Sequence, residues 1–352
     1  MRCYKNKKVL ITGNTGFKGN WLTLALHNMG AQVVGYADIP PKSKAILGKK
    51  WIEKNIKQYY NKVENHSYLK KVILNEKPDI VFHLAAQPLV LKSYEFPKET
   101  FLTNALGTLN LLELMRTYNK NIPIIIITTD KVYSNKRIKK YKEADRLSGN
   151  CPYSTSKVCA EEISRAYSNL GMKIITARAG NIIGGGDWAD NRIIPDIVKA
   201  INNNKKPVIR NPDFTRPWLY VLDAINGYLL IGKKLLKIKK KKYYDTYNLA
   251  PINSNSKNVL FLVEKFCNKF ENISFIIKKN DNKYKENKFL NLCSKKIQIK
   301  LNWKTKVTFE EAIDKTSLFY KIKSKEKLLQ NSIKEINSYF NYKETNSKNI
   351  RV

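Results

Sequence analysis

Histidine is scarce in this chain: His27, His66 and His83 are the only three. His27 falls inside a helical pattern and His83 in a strand-end motif, which argues against a histidine-based nucleophilic triad or a zinc site. The five cysteines, Cys3, Cys151, Cys159, Cys267 and Cys293, show no metal-ligand spacing. They read as reduced thiols of a reducing compartment, and no metal is expected. No run of eighteen or more apolar residues occurs, and the basic start lacks the apolar segment of a secretory signal. A cytoplasmic protein without a membrane partner is the expectation.

Acidic residues are also few, 29 against 65 lysines and arginines, for a net charge of +36. Such a balance commonly marks proteins that bind nucleic acid or anionic membrane. Here lysine is spread along the chain together with much asparagine and isoleucine, which suggests a compositional bias and no nucleic-acid partner. The one dense run, Lys237 to Lys242, separates an apolar helix pattern from the strand Tyr243 to Asn248 and reads as a solvated loop. With 352 residues and 43% hydrophobic content, the chain can bury one large core or two modest ones.

What is present begins at the amino terminus. Lys8 to Thr12 reads as a strand, Gly13-Asn-Thr-Gly16-Phe-Lys-Gly19 as a tight turn, and the apolar stretch from about Trp21 to Gly30 as a helix. Glycines in such a turn let the backbone approach a pyrophosphate at a helix amino terminus. A glycine triplet alone is weak evidence, but strand, turn and helix in that order strengthen it. A second strand leads to Asp38, placed to bond a ribose hydroxyl, which favours NAD over NADP, with nearby Lys42 keeping the second open.

A second constellation follows. Ile124 to Thr128 is a short β-branched run that reads as a buried parallel strand, and Thr129, Asp130 and Lys131 stand at its carboxyl end. Ligands collect beyond such strand ends in doubly wound sheets. A plain turn with Asp130 capping local amides is the alternative. Tyr153 and Lys157 are i and i+4 on one helix face, where the ammonium could favour a phenolate, or they are two ordinary helix-surface residues.

These motifs together resemble the extended short-chain dehydrogenase/reductase family, specifically its nucleotide-sugar 4,6-dehydratases, and most closely those acting on CDP-glucose. The resemblance runs from Lys8 to about Lys321. It is carried by Gly13-Asn-Thr-Gly16-Phe-Lys-Gly19, Phe82 to Leu89, Thr129-Asp130-Lys131-Val-Tyr133, Pro152 to Lys157, Arg178 to Trp188 and Arg216-Pro-Trp218. It implies a Rossmann-type doubly wound parallel α/β sheet with a smaller mixed α/β substrate-binding lobe. The implied cofactor is NAD, the implied substrate a nucleotide sugar, CDP-glucose, and the implied assembly a homodimer.

The resemblance also implies roles. Gly13, Gly16, Phe17, Gly19, Asp38, Ala85, Ala86, Asn104, Tyr153 and Lys157 would surround the dinucleotide. Gln87, Asn181, Arg192, Arg210 and Arg216 would meet the sugar nucleotide, arginine being suited to bidentate phosphate contacts. Thr129, Asp130, Lys131, Tyr153 and Lys157 would be catalytic. Tyr153 would take the 4-hydroxyl proton, Lys131 the proton on carbon 5, and Asp130 would protonate the departing 6-hydroxyl; Lys131 paired structurally with Asp130 is the alternative. Three departures from the family pattern stand out: Lys62-Val63 replaces the usual Asp-Ile near the adenine, in a region, Ile56 to Asn65, that lacks the expected pattern; Tyr220 stands where histidine is common; and the last lobe looks shortened before Cys293-Ser-Lys295.

The expected organisation is strand and helix in alternation up to about Gly180. Strands are expected at Val9 to Thr12, Val33 to Tyr36, Ile80 to His83, Ile124 to Thr128 and Ile174 to Ala179. Helices are expected from about Trp21, from about Ser67, from Pro97 through Asn104 toward Arg116, and from Tyr153 toward Leu170. Residues 1–183, with returning segments around 218–250, would bind NAD. Residues 184–325 would form most of the substrate lobe, and 326–352 a terminal helix and loose tail. Two rivals stay open: a nucleotide-sugar epimerase, which would share the glycine turn and Tyr153/Lys157, and a non-catalytic basic protein that binds nucleic acid.

Overall fold

Four consecutive isoleucines set the architecture. Side chains alternate across a strand, and Ile125 and Ile127 enter one apolar cluster while Ile124 and Ile126 enter another on the opposite face. A strand buried on both faces needs helices on both, so the sheet is the middle of three layers.

The computed structural model describes residues 1–42, 44–134, 140–251, 257–271, 273–278 and 290–342. In chain order the first half runs β1 (Lys8–Thr12), α1 (Phe17–Asn28), β2 (Gln32–Ala37), α2 (Lys49–Asn55), β3 (Lys57–Tyr60), α3 (His66–Glu76) and β4 (Ile80–His83). It continues with α4 (Val90–Glu95), α5 (Pro97–Phe101), α6 (Gly107–Asn119), β5 (Ile124–Ile127), α7 (Pro152–Asn169) and β6 (Lys173–Ala179). Then come β7 (Ile182–Ile183), α8 (Ile193–Asn202), β8 (Val208–Ile209), β9 (Thr215–Arg216), β10 (Leu219–Tyr220), α9 (Val221–Lys237) and β11 (Tyr243–Leu249). The remainder is β12 (Lys257–Asn258), α10 (Val259–Cys267), β13 (Ile276–Ile277), α11 (Lys295–Leu301), α12 (Phe309–Lys321) and α13 (Lys325–Phe340).

Seven strands form one sheet in the order β11-β6-β5-β4-β1-β2-β3, and every pairing is parallel. Strand order reverses between β1 and β4, which opens a crevice at their carboxyl ends where ligands of doubly wound sheets sit. The apolar residues of α1 and α9 fill one face, and those of α3 and α6 fill the other. The short strands pair off as β10 with β7, β12 with β9 and β13 with β8.

Several elements differ from expectation for local reasons. Helix α1 starts at Phe17, not Trp21, because the turn already closes through Gly16 N–H to Gly13 O at 3.2 Å and Gly16 serves as an extended N-cap. Strand β3, not among the expected strands, lies in the region that departs from the family pattern; it is the sheet's edge and pairs with β2, so Lys57-Gln-Tyr-Tyr60 needs no apolar face on both sides. The helix from Pro97 toward Arg116 is interrupted by a π-helical turn at Leu102–Leu106. Strand β5 ends at Ile127, one residue before the expected Thr128. The lysines at 237 and 239–242 are exposed, as a solvated connection requires. Helix α13 supplies the expected terminal helix and buries Leu328, Leu329, Ile336 and Tyr339, while the expected tail lies outside the described residues.

Candidate active site

The glycine turn is shaped by close approach. A side chain on Gly13, whose φ is +74°, would stand 2.6 Å from the Ala85 backbone nitrogen. One on Gly19 would stand 2.1 Å from the Gly13 carbonyl oxygen. On Gly16 it would meet only the Gly13 oxygen, at 3.4 Å. Gly13 and Gly19 therefore let protein pack on protein, while Gly16 keeps a face open toward the crevice. The amino terminus of α1, with its unpaired amides and positive dipole end, points to the same place.

One cavity of about 930 Å³ occupies this crevice. Gly13, Gly16, Phe17, Gly19, Asp38, Ala85 and Ala86 line one part, and Thr129, Lys131, Tyr153 and Lys157 line another. Gln87, Asn181, Arg192, Arg210 and Arg216 also line it. Two of the expected residues do not. Asn104 is fully buried one layer behind, where it accepts from Gln87 N–H at 2.9 Å and donates to Ser156 Oγ at 2.9 Å. Asp130 is buried against Gly180, and its Oδ2 has no hydrogen-bond partner among the described residues.

The turn after β5 is internally connected. Thr129 Oγ1 donates to Asp130 Oδ1 at 3.1 Å, and Lys131 Nζ pairs with the same oxygen at 3.5 Å. Burial raises the Tyr153 phenol above its ordinary range; the charge of Lys131 and a hydrogen bond with Thr129 oppose the rise without cancelling it. Of the effects opposing the rise, the charge of Lys131 is the largest. Lys157 instead turns its Nζ to the Ile127 carbonyl at 3.2 Å, and burial draws its pKa down to about 8.

Sequence reasoning missed Lys18 as a site residue. In the first turn of α1 it lines the cavity, and burial together with the charges of Arg192 and Lys157 lowers its pKa to about 7. The signal was available, since a lysine inside a glycine turn that otherwise favours small residues needs a reason. Arg192 itself is held by Asp187 at 2.8 Å, and the Asp187 carbonyl accepts from Tyr320 Oη at 2.6 Å. His83 has a structural role, linking Thr12 and Thr108 by ring contacts of 2.7 and 3.2 Å; burial lowers its pKa to about 3. Among the described residues no group of three or more His, Cys, Asp or Glu could hold a metal ion. No described helix is long and apolar enough to cross a membrane.

A sequence profile of the GDP-mannose 4,6 dehydratase family matches residues 10–316. The chain belongs to that family. The CDP-glucose 4,6-dehydratase of Salmonella typhimurium is 35% identical, covering 96% of this chain and 97% of the relative. The CDP-paratose 2-epimerase of Salmonella typhi is 27% identical over 88% of this chain and 97% of its own length. Among solved structures, an epimerase from Methanothermobacter thermautotrophicus superposes with a TM-score of 0.80 at 24% identity, covering 96% of each chain. A dTDP-glucose 4,6-dehydratase from Bacillus anthracis, solved with NAD, superposes with a TM-score of 0.75 at 23% identity, covering 93% of this chain and 99% of that one. At these identities the superpositions establish the fold shared by the dehydratase family and related epimerases.

Proposed function

We propose that this chain is an NAD-dependent nucleotide-sugar 4,6-dehydratase that converts CDP-glucose to CDP-4-keto-6-deoxyglucose, working as a homodimer in the cytoplasm. The observation that carries the reading is that Thr129, Lys131, Tyr153 and Lys157 line the same cavity as the glycine cradle, with the Asp130 carboxyl immediately behind. Residues 1–183 with the returning segments around 218–250 serve NAD, and residues 184–325 serve mostly the sugar nucleotide.

The cradle fits the cofactor: Gly16 leaves its face open, and Asp38 stands on the rim at the end of β2. Lys42 Nζ is engaged with the Trp188 carbonyl at 3.0 Å, which supports a free ribose hydroxyl over a phosphate there. NAD when bound supplies the hydride acceptor at carbon 4 and the hydride donor at carbon 6. Tyr153, as phenolate, takes the 4-hydroxyl proton while Thr129 aligns the oxygen. A ketone at carbon 4 acidifies the hydrogen on carbon 5, and Lys131 in its free-amine form removes it. Asp130 in its protonated form gives its proton through Oδ2, which has no hydrogen-bond partner among the described residues, to the departing 6-hydroxyl, which leaves as water. Lys157 orients the nicotinamide ribose. Arg192, Arg210 and Arg216 bind the diphosphate.

Incubation of the purified protein with CDP-glucose, and in parallel with dTDP-, UDP- and GDP-hexoses, followed by mass spectrometry, tests the reading. Loss of one water from CDP-glucose alone is expected. Loss from another sugar nucleotide instead overturns the CDP assignment, and an isomerised product of unchanged mass points to an epimerase.

A further inference from the structure

The reacting turn is gripped at both ends by one buried ion pair that the steps above do not use. Glu161 on α7 and Arg178 on β6 are 1% and 3% exposed and joined in a fork, Arg178 Nε to Glu161 Oε1 at 2.9 Å and Nη2 to Oε2 at 3.1 Å. Thr128, the residue before the turn, donates to Glu161 Oε1 at 2.5 Å. Tyr133, two residues beyond Lys131, is bonded to Arg178 Nη1 through its hydroxyl at 2.9 Å. Its ring lies 5.0 Å beneath the guanidinium.

Further bonds tie the pair to its surroundings. Glu161 Oε2 also accepts from Thr176 Oγ1 at 2.7 Å and Tyr244 Oη at 3.4 Å. Arg178 Nη1 also reaches the Glu143 carbonyl at 3.1 Å, and the Tyr133 hydroxyl donates to Asn248 Oδ1 at 2.6 Å. Tyr133 stacks on Tyr141 with ring centroids 4.9 Å apart and planes 7° from parallel. Burying such a pair is costly, and apolar residues of similar volume often stabilise a fold better. What the pair provides that they would not is directional bonds to both ends of one turn.

The grip also spans the two halves of the site. Glu161 lies one helical turn beyond Lys157 on the same face of α7, and two turns beyond Tyr153. The pair is thus fixed to the helix that carries Tyr153 and Lys157, to the strand beside it, and to the segment that carries Thr129, Asp130 and Lys131. We propose that Glu161, Arg178 and Tyr133 are positioning residues that hold Thr129–Lys131 in register with Tyr153 and Lys157. This proposal rests on the dehydratase reading. A sugar oxidised by one set of groups must lose its carbon-5 proton and its 6-hydroxyl to the other set without being released, so an error in register costs elimination while leaving binding intact.

The test uses Tyr133→Phe and Thr128→Val, which each release one end of the turn while keeping the ion pair, together with Arg178→Lys, which keeps the charge but loses the fork. Melting temperature, KM, kcat and NADH absorbance during turnover are read for each with the dehydrated substrate of the unaltered protein. The expected result for Tyr133→Phe and Thr128→Val is a melting temperature within a few degrees of the parent, KM within about twofold, and kcat lowered about ten- to a hundredfold. A standing NADH signal that the parent lacks is also expected, because oxidation outruns elimination. Arg178→Lys should show the same signature with a larger kcat loss. A kcat within about twofold of the parent in both single-end variants overturns the proposal. So does a loss that affects KM and kcat equally and tracks melting temperature, which a structural role alone would give. Absence of dehydration by the parent with every nucleotide sugar refutes the underlying reading instead, so the two failures are distinct.

Discussion

Gly16 and Gly19 lack the same atom for opposite reasons. An added methyl at Gly19 meets the Gly13 carbonyl, whereas one at Gly16 meets almost nothing. Gly19→Ala is therefore expected to lower the melting temperature of the ligand-free protein, and Gly16→Ala to leave it unchanged while weakening NAD binding by about tenfold or more. Calorimetric melting and NAD titration on the two variants check this, and equal melting losses would be the contrary result. Lys18 offers a second test at this scale. The fold lowers its pKa from 10.5 to about 7, so between those values the unfolded chain holds a proton that the folded one lacks, and the lysine's cost to stability fades as pH rises. An anionic ligand reverses the shift. Binding of the nucleotide sugar or NAD should take up a proton near pH 8 and weaken as pH rises further. Titration calorimetry in two buffers of different ionisation enthalpy reads that uptake, which Lys18→Met should reduce. Lys131 is tested by solvent deuterium entering carbon 5: Lys131→Ala should suppress it, and undiminished exchange would remove Lys131 from the role of base.

At the scale of elements, the sheet was legible in sequence because its strands are apolar on both sides; Ile124 to Ile127 could hardly be anything else. The glycine turn and the Tyr153/Lys157 spacing were legible because each is local to a few residues. Strand β3 was not, since an edge strand carries no apolar period. The positions of Asn104 and Asp130 behind the cavity wall were not legible either, because depth depends on neighbours distant in sequence. The same holds for Asp223 at the start of α9, which the motifs passed over. It is buried with Oδ1 accepting from Lys306 N–H at 2.8 Å and Tyr339 Oη at 2.5 Å, while Oδ2 has no hydrogen-bond partner among the described residues. Burial raises its pKa from 3.8 to about 6, so the folded state holds the proton more tightly and stability from this group declines as pH rises from about 4 to 6. Asp223→Asn keeps the Oδ1 acceptor and removes the charge. Its melting temperature is expected to exceed the parent's by a few degrees at pH 7.5, with no gain at pH 4.

For the whole molecule, the +36 charge is the feature that the site does not demand. It places a dianionic substrate in an attractive field, so the association rate of the nucleotide sugar should fall roughly tenfold between about 20 and 300 mM salt while kcat stays constant. Stopped-flow binding and steady-state assays at several salt concentrations separate the two; a kcat that falls with the association rate would assign the charge another role. The cavity carries a different consequence. Gly13, Gly16, Asp38, Arg192, Arg210 and Arg216 all line one chamber of about 930 Å³. Cofactor and nucleotide sugar held there would each become part of the other's container, and a single inhibitor joining a nicotinamide-like group to a nucleoside diphosphate would span both.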